Sequence, residues 1–284
     1  MKPPGLRTIL LFALATLVAG CATPQPIDRT EPEPIRILHI PNLRLALKTP
    51  PTEGFRQDLS HRVLTDLLTE WSTTWRPDFT CFSGNQIENR DPGPEDLEEF
   101  LYLADNLAGP WYALTGTREA NPEPPENPTT REVWLDRLEQ KSWLEEETPW
   151  FEATPNPRIK LLNLDTAQTG TAQGTISEAQ IDWLKERIAR ADPNQILIVH
   201  VHHPILPPPG HEEKAPENAE TVRKLLEESP KVKLVLQGVP SIPNVRKKGG
   251  LEYVNSPSPT APPHTYRWIE IEGPNLRHGL RSWK

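Results

Sequence analysis

Cysteine is nearly absent: Cys21 and Cys81 are the only two among 284 residues, which excludes a disulfide-stapled scaffold. Long apolar runs are missing after residue 20, so nothing downstream approaches the ~20 residues of a membrane-spanning helix. Positive charge is in the minority. Lys and Arg number 31 against 39 Asp and Glu, and the formal net charge of −8 argues against nucleic acid as a partner. No glycine-rich phosphate loop, CxxC pair or GxSxG elbow occurs, and Ser83 in FSGN has no nucleophile context.

What is present begins with a secretory pattern. Lys2 and Arg7 form a basic start, TILLFALATLVAG (8–20) is an apolar stretch too short to span a bilayer, and residues 1–20 read as a signal peptide. The stretch ends LVAGC, which resembles the lipobox of bacterial lipoproteins and makes Cys21 the residue to be lipidated. Acyl chains there would anchor the protein stably, at roughly 0.8 kcal/mol per buried CH₂. Ala22 follows, and lack of an aspartate at that place implies the outer membrane, facing the periplasm. Residues 21–34, proline-rich and polar, read as a semi-rigid tether, leaving 35–284 as one α/β domain. With Cys21 assigned to the anchor, Cys81 in FTCF has no partner and reads as a small buried hydrophobe.

Proline is abundant, 34 residues, and its clusters at 121–128, 204–216 and 256–263 read as stiffened loops. Between them, apolar runs alternate with helical patterns. Strands are expected near 35–41, 79–83, 111–115, 159–164, 195–201, 232–237, 251–255 and 265–271. Helices are expected over 59–71, where Leu59, Val63, Leu67 and Trp71 recur every fourth residue, over 177–190, where Ser177 and Gln180 have capping-box spacing, and over 217–228. This order predicts an α/β sandwich whose functional loops gather at the carboxyl ends of strands.

Five segments end apolar runs in that way: ILHIPNLRL (38–46), FTCFSGNQIEN (79–89), WYALTGTREA (111–120), ILIVHVHHPI (196–205) and VKLVLQGVPSI (232–242). In order and spacing they resemble the signature blocks of calcineurin-like metallophosphoesterases: D-x-H, G-D-x-x-D, G-N-H-[DE], H-H-P and G-H-x-H. LNLDTAQTGTAQGTISEAQIDWLKERI (162–188) and GGLEYVNSPS (249–258) resemble further parts of that family, so the similarity covers about 35–272. The resemblance implies a four-layer α-β-β-α sandwich carrying two divalent metals at the strand ends.

The family's ligand positions hold other residues here. They are Asn42 and Arg44, Asn85, Thr117 and Arg118, His202, and Val239 and Ser241, so His202 alone matches; Glu88 stands where the second block has its later acid. Amides bring no charge to offset two close cations, and guanidiniums at 44 and 118 would point toward the metal space. At ~4 Å and an effective dielectric of ~20, a divalent ion and one Arg repel by roughly 8 kcal/mol. No dinuclear centre and no cofactor is therefore expected.

Several readings follow. The leading one is an envelope-anchored pseudoenzyme serving as a binding or scaffold module for an unknown protein or a phosphorylated or anionic ligand. In a further alternative, an anion-binding sensor, Arg44 and Arg118, with Asn42, Asn85 and His202, would hold the anion. Against that, the arginines would simply pair with Glu88, Glu119 or Asp165. The alternative is an active phosphoesterase with one or two Mn, Fe or Zn ions rearranged around His200, His202, His203 and His211. His39 reads as a satisfied core residue, and no role is assigned to His61, His264 or His278. Trp71, Trp75, Trp134, Trp143 and Trp150 are candidates for an exposed patch.

Overall fold

A computed structural model describes residues 33–52, 54–90, 93–139 and 148–282. The signal and most of the tether, with Cys21, lie outside the described residues, as does Trp143. Within them, β-branched and apolar runs form strands that pair into two sheets.

The first sheet has five strands in the order β11-β10-β1-β2-β3. These are β1 (Ile35–Ile40), β2 (Phe79–Phe82), β3 (Trp111–Ala113), β10 (Thr265–Glu272) and β11 (Asn275–Ser282). The second has six, β4-β5-β6-β7-β9-β8. Its members are β4 (Phe151–Asn156), β5 (Ile159–Asn163), β6 (Ile196–Val201), β7 (Val232–Gln237), β8 (Asn244–Lys248) and β9 (Leu251–Asn255). β1, β2 and β3 run parallel, as do β5, β6, β7 and β9, so their carboxyl ends share one rim of each sheet.

The two sheets face each other through side chains such as Ile37, Phe79, Cys81, Leu161, Leu234 and Ile269. Cys81 is a buried free thiol whose pKa burial raises far above its ordinary value. Outside the first sheet lie α1 (Ser60–Glu70), α2 (Glu95–Asp105) and α4 (Arg131–Glu139), and a single turn, α3 (Thr117–Ala120), follows β3. α5 (Glu178–Arg190) and α6 (Ala219–Glu228) cover the second sheet with Ile181, Leu184, Val222 and Leu226. The layers are thus α-β-β-α, each helix burying one apolar stripe on a sheet.

Local signals explain the element ends. Ser177 Oγ accepts the Gln180 amide and starts α5, as its capping spacing predicts. α1 continues into a π-type turn, Trp71–Trp75, closed by Arg76 in the left-handed region. Trp71 and Trp134 are wholly buried, so they belong to the core and not to an exposed patch. Three strands and three helices go unread in the sequence: β4, β8, β11, α2, α3 and α4. β4, β8 and β11 are edge strands rich in polar residues, without the apolar run that marks a buried strand.

Candidate functional site

The five signature segments converge at the shared rim. Asn42 follows β1, Asn85 follows β2, Thr117 follows β3, His202 follows β6 and Val239 follows β7. The first two loops are laced together by Asn42 N to Gly84 O at 3.0 Å, Arg44 N to Asn85 O at 2.9 Å and Leu45 N to Gln86 O at 2.7 Å. This close lacing needs unusual backbone: Asn42, Arg44, Asn85 and Asn89 have φ of 49°, 52°, 57° and 54°. Asparagine tolerates the left-handed region, whereas Arg44 is held there at some cost.

Glycine makes room for the ring at the centre. A Cβ on Gly84 would stand 2.2 Å from His202 Nδ1, and one on Gly238 would stand 2.1 Å from Ser83 O. Gly116 approaches Asn85 just as closely.

Around His202 the polar atoms satisfy one another. Asn42 Nδ2 donates to Gly238 O at 2.9 Å, and Asn85 Nδ2 donates to Asn42 Oδ1 at 2.7 Å. Asn85 Oδ1 accepts the Arg118 amide at 2.8 Å and the Thr117 hydroxyl at 3.2 Å. His202 Nδ1 donates to Ser83 O at 2.7 Å, and Nε2 accepts the Thr117 amide at 3.3 Å. Backbone groups at both ends fix both amide orientations and the His202 tautomer: a carbonyl can only accept and an amide N–H only donate. The side-chain acceptor atoms of Asn42, Asn85 and His202 therefore each meet a protein donor.

Glu119 braces this arrangement from below. Its carboxyl accepts the amides of Asn85, Gly116 and Ile87 at 2.9, 2.8 and 3.1 Å. Burial nonetheless pushes its pKa up to about 7, with the backbone hydrogen bonds pulling the other way. His202 is pushed down to about 3, chiefly by burial and then by neighbouring His203.

The arginines turn aside from the metal position. Arg44 makes a two-toothed pair with buried Glu88, Nε at 2.5 Å and an Nη at 2.7 Å, and stacks over Phe55. Arg118 reaches Glu123 at 3.1 Å and Glu88 at 3.6 Å, and Arg90 bridges the same two carboxylates. The projection of both guanidiniums into the metal space is thus corrected; a buried carboxylate draws Arg44 away. Glu119 and Asp165 are not their partners: Glu119 serves backbone amides, and Asp165 pairs with Arg131. Arg90 and Glu123 went unread in the sequence, although Arg90 stands two residues beyond Glu88.

The histidine alternative is likewise corrected. His200 is held by Ser83 Oγ and Asn163 Oδ1 at 2.8 and 2.9 Å. His203 is held by Thr166 Oγ1 at 2.8 Å and Ala172 O at 3.2 Å, while His211 begins a short helical turn on an outer loop. Their rings thus have separate partners, and no group of three His, Cys, Asp or Glu able to hold a metal occurs among the described residues. His200 belongs instead to a buried chain of hydrogen bonds crossing the sandwich: Arg267 to Ser256, Ser256 to His39, His39 to Ser83, Ser83 to His200 and His200 to Asn163. Asn163 Nδ2 donates to Phe151 O, so its Oδ1 accepts from His200 Nδ1, and with neutral imidazoles each earlier link donates in the same direction.

The donor set does not fit a dinuclear centre. It offers two amides, one imidazole and a threonine, all engaged, together with Val239 and with Ser241 beyond the cis Val239–Pro240 bond. The residues above the rim, Thr117, Arg118, Asn121, Glu123 and Thr171 among them, border an open pocket of about 500 Å³.

No protein-family profile matches the chain. A probable glycerophosphodiester phosphodiesterase GpdQ of Arcobacter nitrofigilis is 26% identical over 129 residues, 45% of this chain and 42% of that protein. The match thus spans less than half of that relative's length. Among solved structures, a dimetal phosphatase from Danio rerio superposes with a TM-score of 0.69 at 16% identity, over 89% of this chain and 100% of the other. GAP50, described as the anchor in the inner membrane complex of Plasmodium, gives 0.55 at 12%, over 88% and 85%. Two mixed sheets, flanking helices and a rim of strand-end loops give this chain the α/β metallophosphoesterase fold.

Proposed function

We propose that the chain is an envelope-anchored binding or scaffold module that keeps the metallophosphoesterase fold without its two-metal hydrolytic centre. The observation that carries this reading is the internal pairing of the site: the side-chain acceptor atoms of Asn42, Asn85 and His202 each meet a protein donor. Bringing a cation there means breaking several buried hydrogen bonds and supplying no carboxylate in return. GAP50, a protein of the same fold described as an anchor, supports an anchoring use of the architecture.

The test is metal content and diester hydrolysis of the full chain, purified in mild detergent from manganese- and zinc-supplemented medium. Trace metal and no turnover are expected. Stoichiometric metal that is lost in His202→Ala, together with hydrolysis of a phosphodiester probe, overturns the proposal. The similarity to a phosphodiesterase favours a second reading, a metal-dependent hydrolase, and that second result would establish it.

Anchoring through Cys21 is a separate part of the proposal, supported by the LVAGC pattern. Cys21→Ala is expected to release the protein from the membrane fraction; retention there would rule the lipid anchor out.

A further inference from the structure

Between the start of α4, the start of α5 and the loop 165–169 lies a cavity of about 320 Å³. Its size is at the small end of the roughly 300–1,000 Å³ that ligand pockets span. Arg131, Trp150, Asp165, Thr169, Ser177 and Gln180 border it. Asn42, Asn85 and His202 do not, so a ligand here is independent of whether the rim holds metal.

Asp165 is 7% exposed, and only one of its carboxyl oxygens is satisfied. Oδ2 meets the Arg131 guanidinium, while Oδ1 accepts no hydrogen bond. A buried acceptor left unpaired is costly, and a ligand donor would recover that cost. Burial lifts the Asp165 pKa to about 6, against the pull of Arg131 and of the nearby Ala167 amide. The residue is held firmly from behind: Gln180 Oε1 accepts its amide at 3.0 Å, and Gln180 Nε2 donates to its carbonyl at 2.7 Å. The Arg131 guanidinium has no second acceptor among the described residues.

We propose that this cavity binds a neutral, hydroxyl-rich ring, one unit of a glycan. A sugar hydroxyl serves both unpaired groups at once, donating to Asp165 Oδ1 and accepting from the remaining N–H groups of Arg131. An ammonium ligand would sit beside the Arg131 cation, and an anionic one beside the unpaired carboxylate oxygen, so charge of either sign is disfavoured. Half-buried Trp150 at the wall supplies apolar surface for the C–H face of a ring. Arg131 and Thr169 also border a second cavity of about 390 Å³, together with Pro122 and Pro125. That one shares Asn121, Pro122 and Gly170 with the open pocket above the rim. Three adjoining cavities along one loop suit a chain of linked rings better than a single free sugar.

Titration calorimetry of the full chain tests this, in a detergent without a sugar headgroup. The probes are three neutral trisaccharides, maltotriose, cellotriose and triacetylchitotriose, with trigalacturonate and protonated chitotriose as their anionic and cationic counterparts. Saturable binding of at least one neutral probe with a Kd below about 10 mM is expected, and weaker binding of the charged ones. Asp165→Asn puts a donor where the hydroxyl must donate, and is expected to weaken binding about tenfold or more. Thr169→Trp fills the cavity mouth from an exposed loop position and is expected to abolish binding, while Tyr102→Ala, exposed on α2, leaves it unchanged. No saturable binding of any neutral probe, binding untouched by Thr169→Trp, or tighter binding of a charged probe overturns the proposal. The Thr169 variant decides even where Asp165→Asn misfolds.

Discussion

Asn85 Nδ2 donates to Asn42 Oδ1 across 2.7 Å, at the two positions where the signature blocks this sequence resembles carry aspartate. Asn85→Asp keeps the shape and replaces the donor with a lone pair aimed at another lone pair. A loss of about 1–3 kcal/mol in chemical denaturation at pH 7 is expected. Unchanged stability would mean the two amides are not in contact in solution.

Glu88 is fully buried and meets Arg44, Arg90 and Arg118. Glu88→Gln leaves Arg44 a buried cation with no countercharge, and breaking such a pair costs about 3–5 kcal/mol. Arg90→Gln, at a half-exposed position, should cost under ~1 kcal/mol in the same assay. The contrast between the two variants, measured by thermal and urea unfolding, checks which arginine matters to the fold.

Four imidazoles set the response to acid. His39 is held well below the ordinary range, His200 and His202 at about 3 and His203 at about 4, all chiefly by burial. Depressed pKa values stabilise the fold above the unfolded pKa near 6.5 and lose that contribution as pH falls through the folded values. Glu119 and Asp165 work oppositely. Burial raises them to about 7 and about 6, so their contribution is complete at low pH and lost as pH rises through those values. Between about pH 4.5 and 6 the unfolded chain gains four protons against two held by the fold, a slope of at most roughly 2.7 kcal/mol per pH unit. Stability by denaturant titration should therefore peak near neutrality and fall toward acid. A flat profile from pH 7 to 5 would show that the histidines are hydrated.

Gly84 stands at φ 89° against the His202 ring. Gly84→Ala meets both the left-handed penalty and a clash with His202, and a cost of about 2–4 kcal/mol is expected. A mild effect, with the His202 ring resonances unmoved in NMR, would mean the loop yields easily.

The sandwich was legible because its buried strands are apolar runs and because five strand ends kept their spacing. His39 was legible too: one histidine inside a strand, with Ser83 and Ser256 supplying its partners. Side-chain direction was not. Nothing in NLRL tells that Arg44 curls back onto Glu88 and Phe55, since that depends on a positive φ and on a loop forty residues away. The polar edge strands escaped for a related reason: β8 and β11 are fixed by their neighbours and not by a pattern of their own.

The left-handed backbone at Asn42 and Asn85 carries one more consequence. Aspartate accepts that conformation about as readily as asparagine does. The loops thus have the curvature that aspartates at 42 and 85 would need, so exchanging the two amides for carboxylates asks for new side chains and not for rebuilt loops.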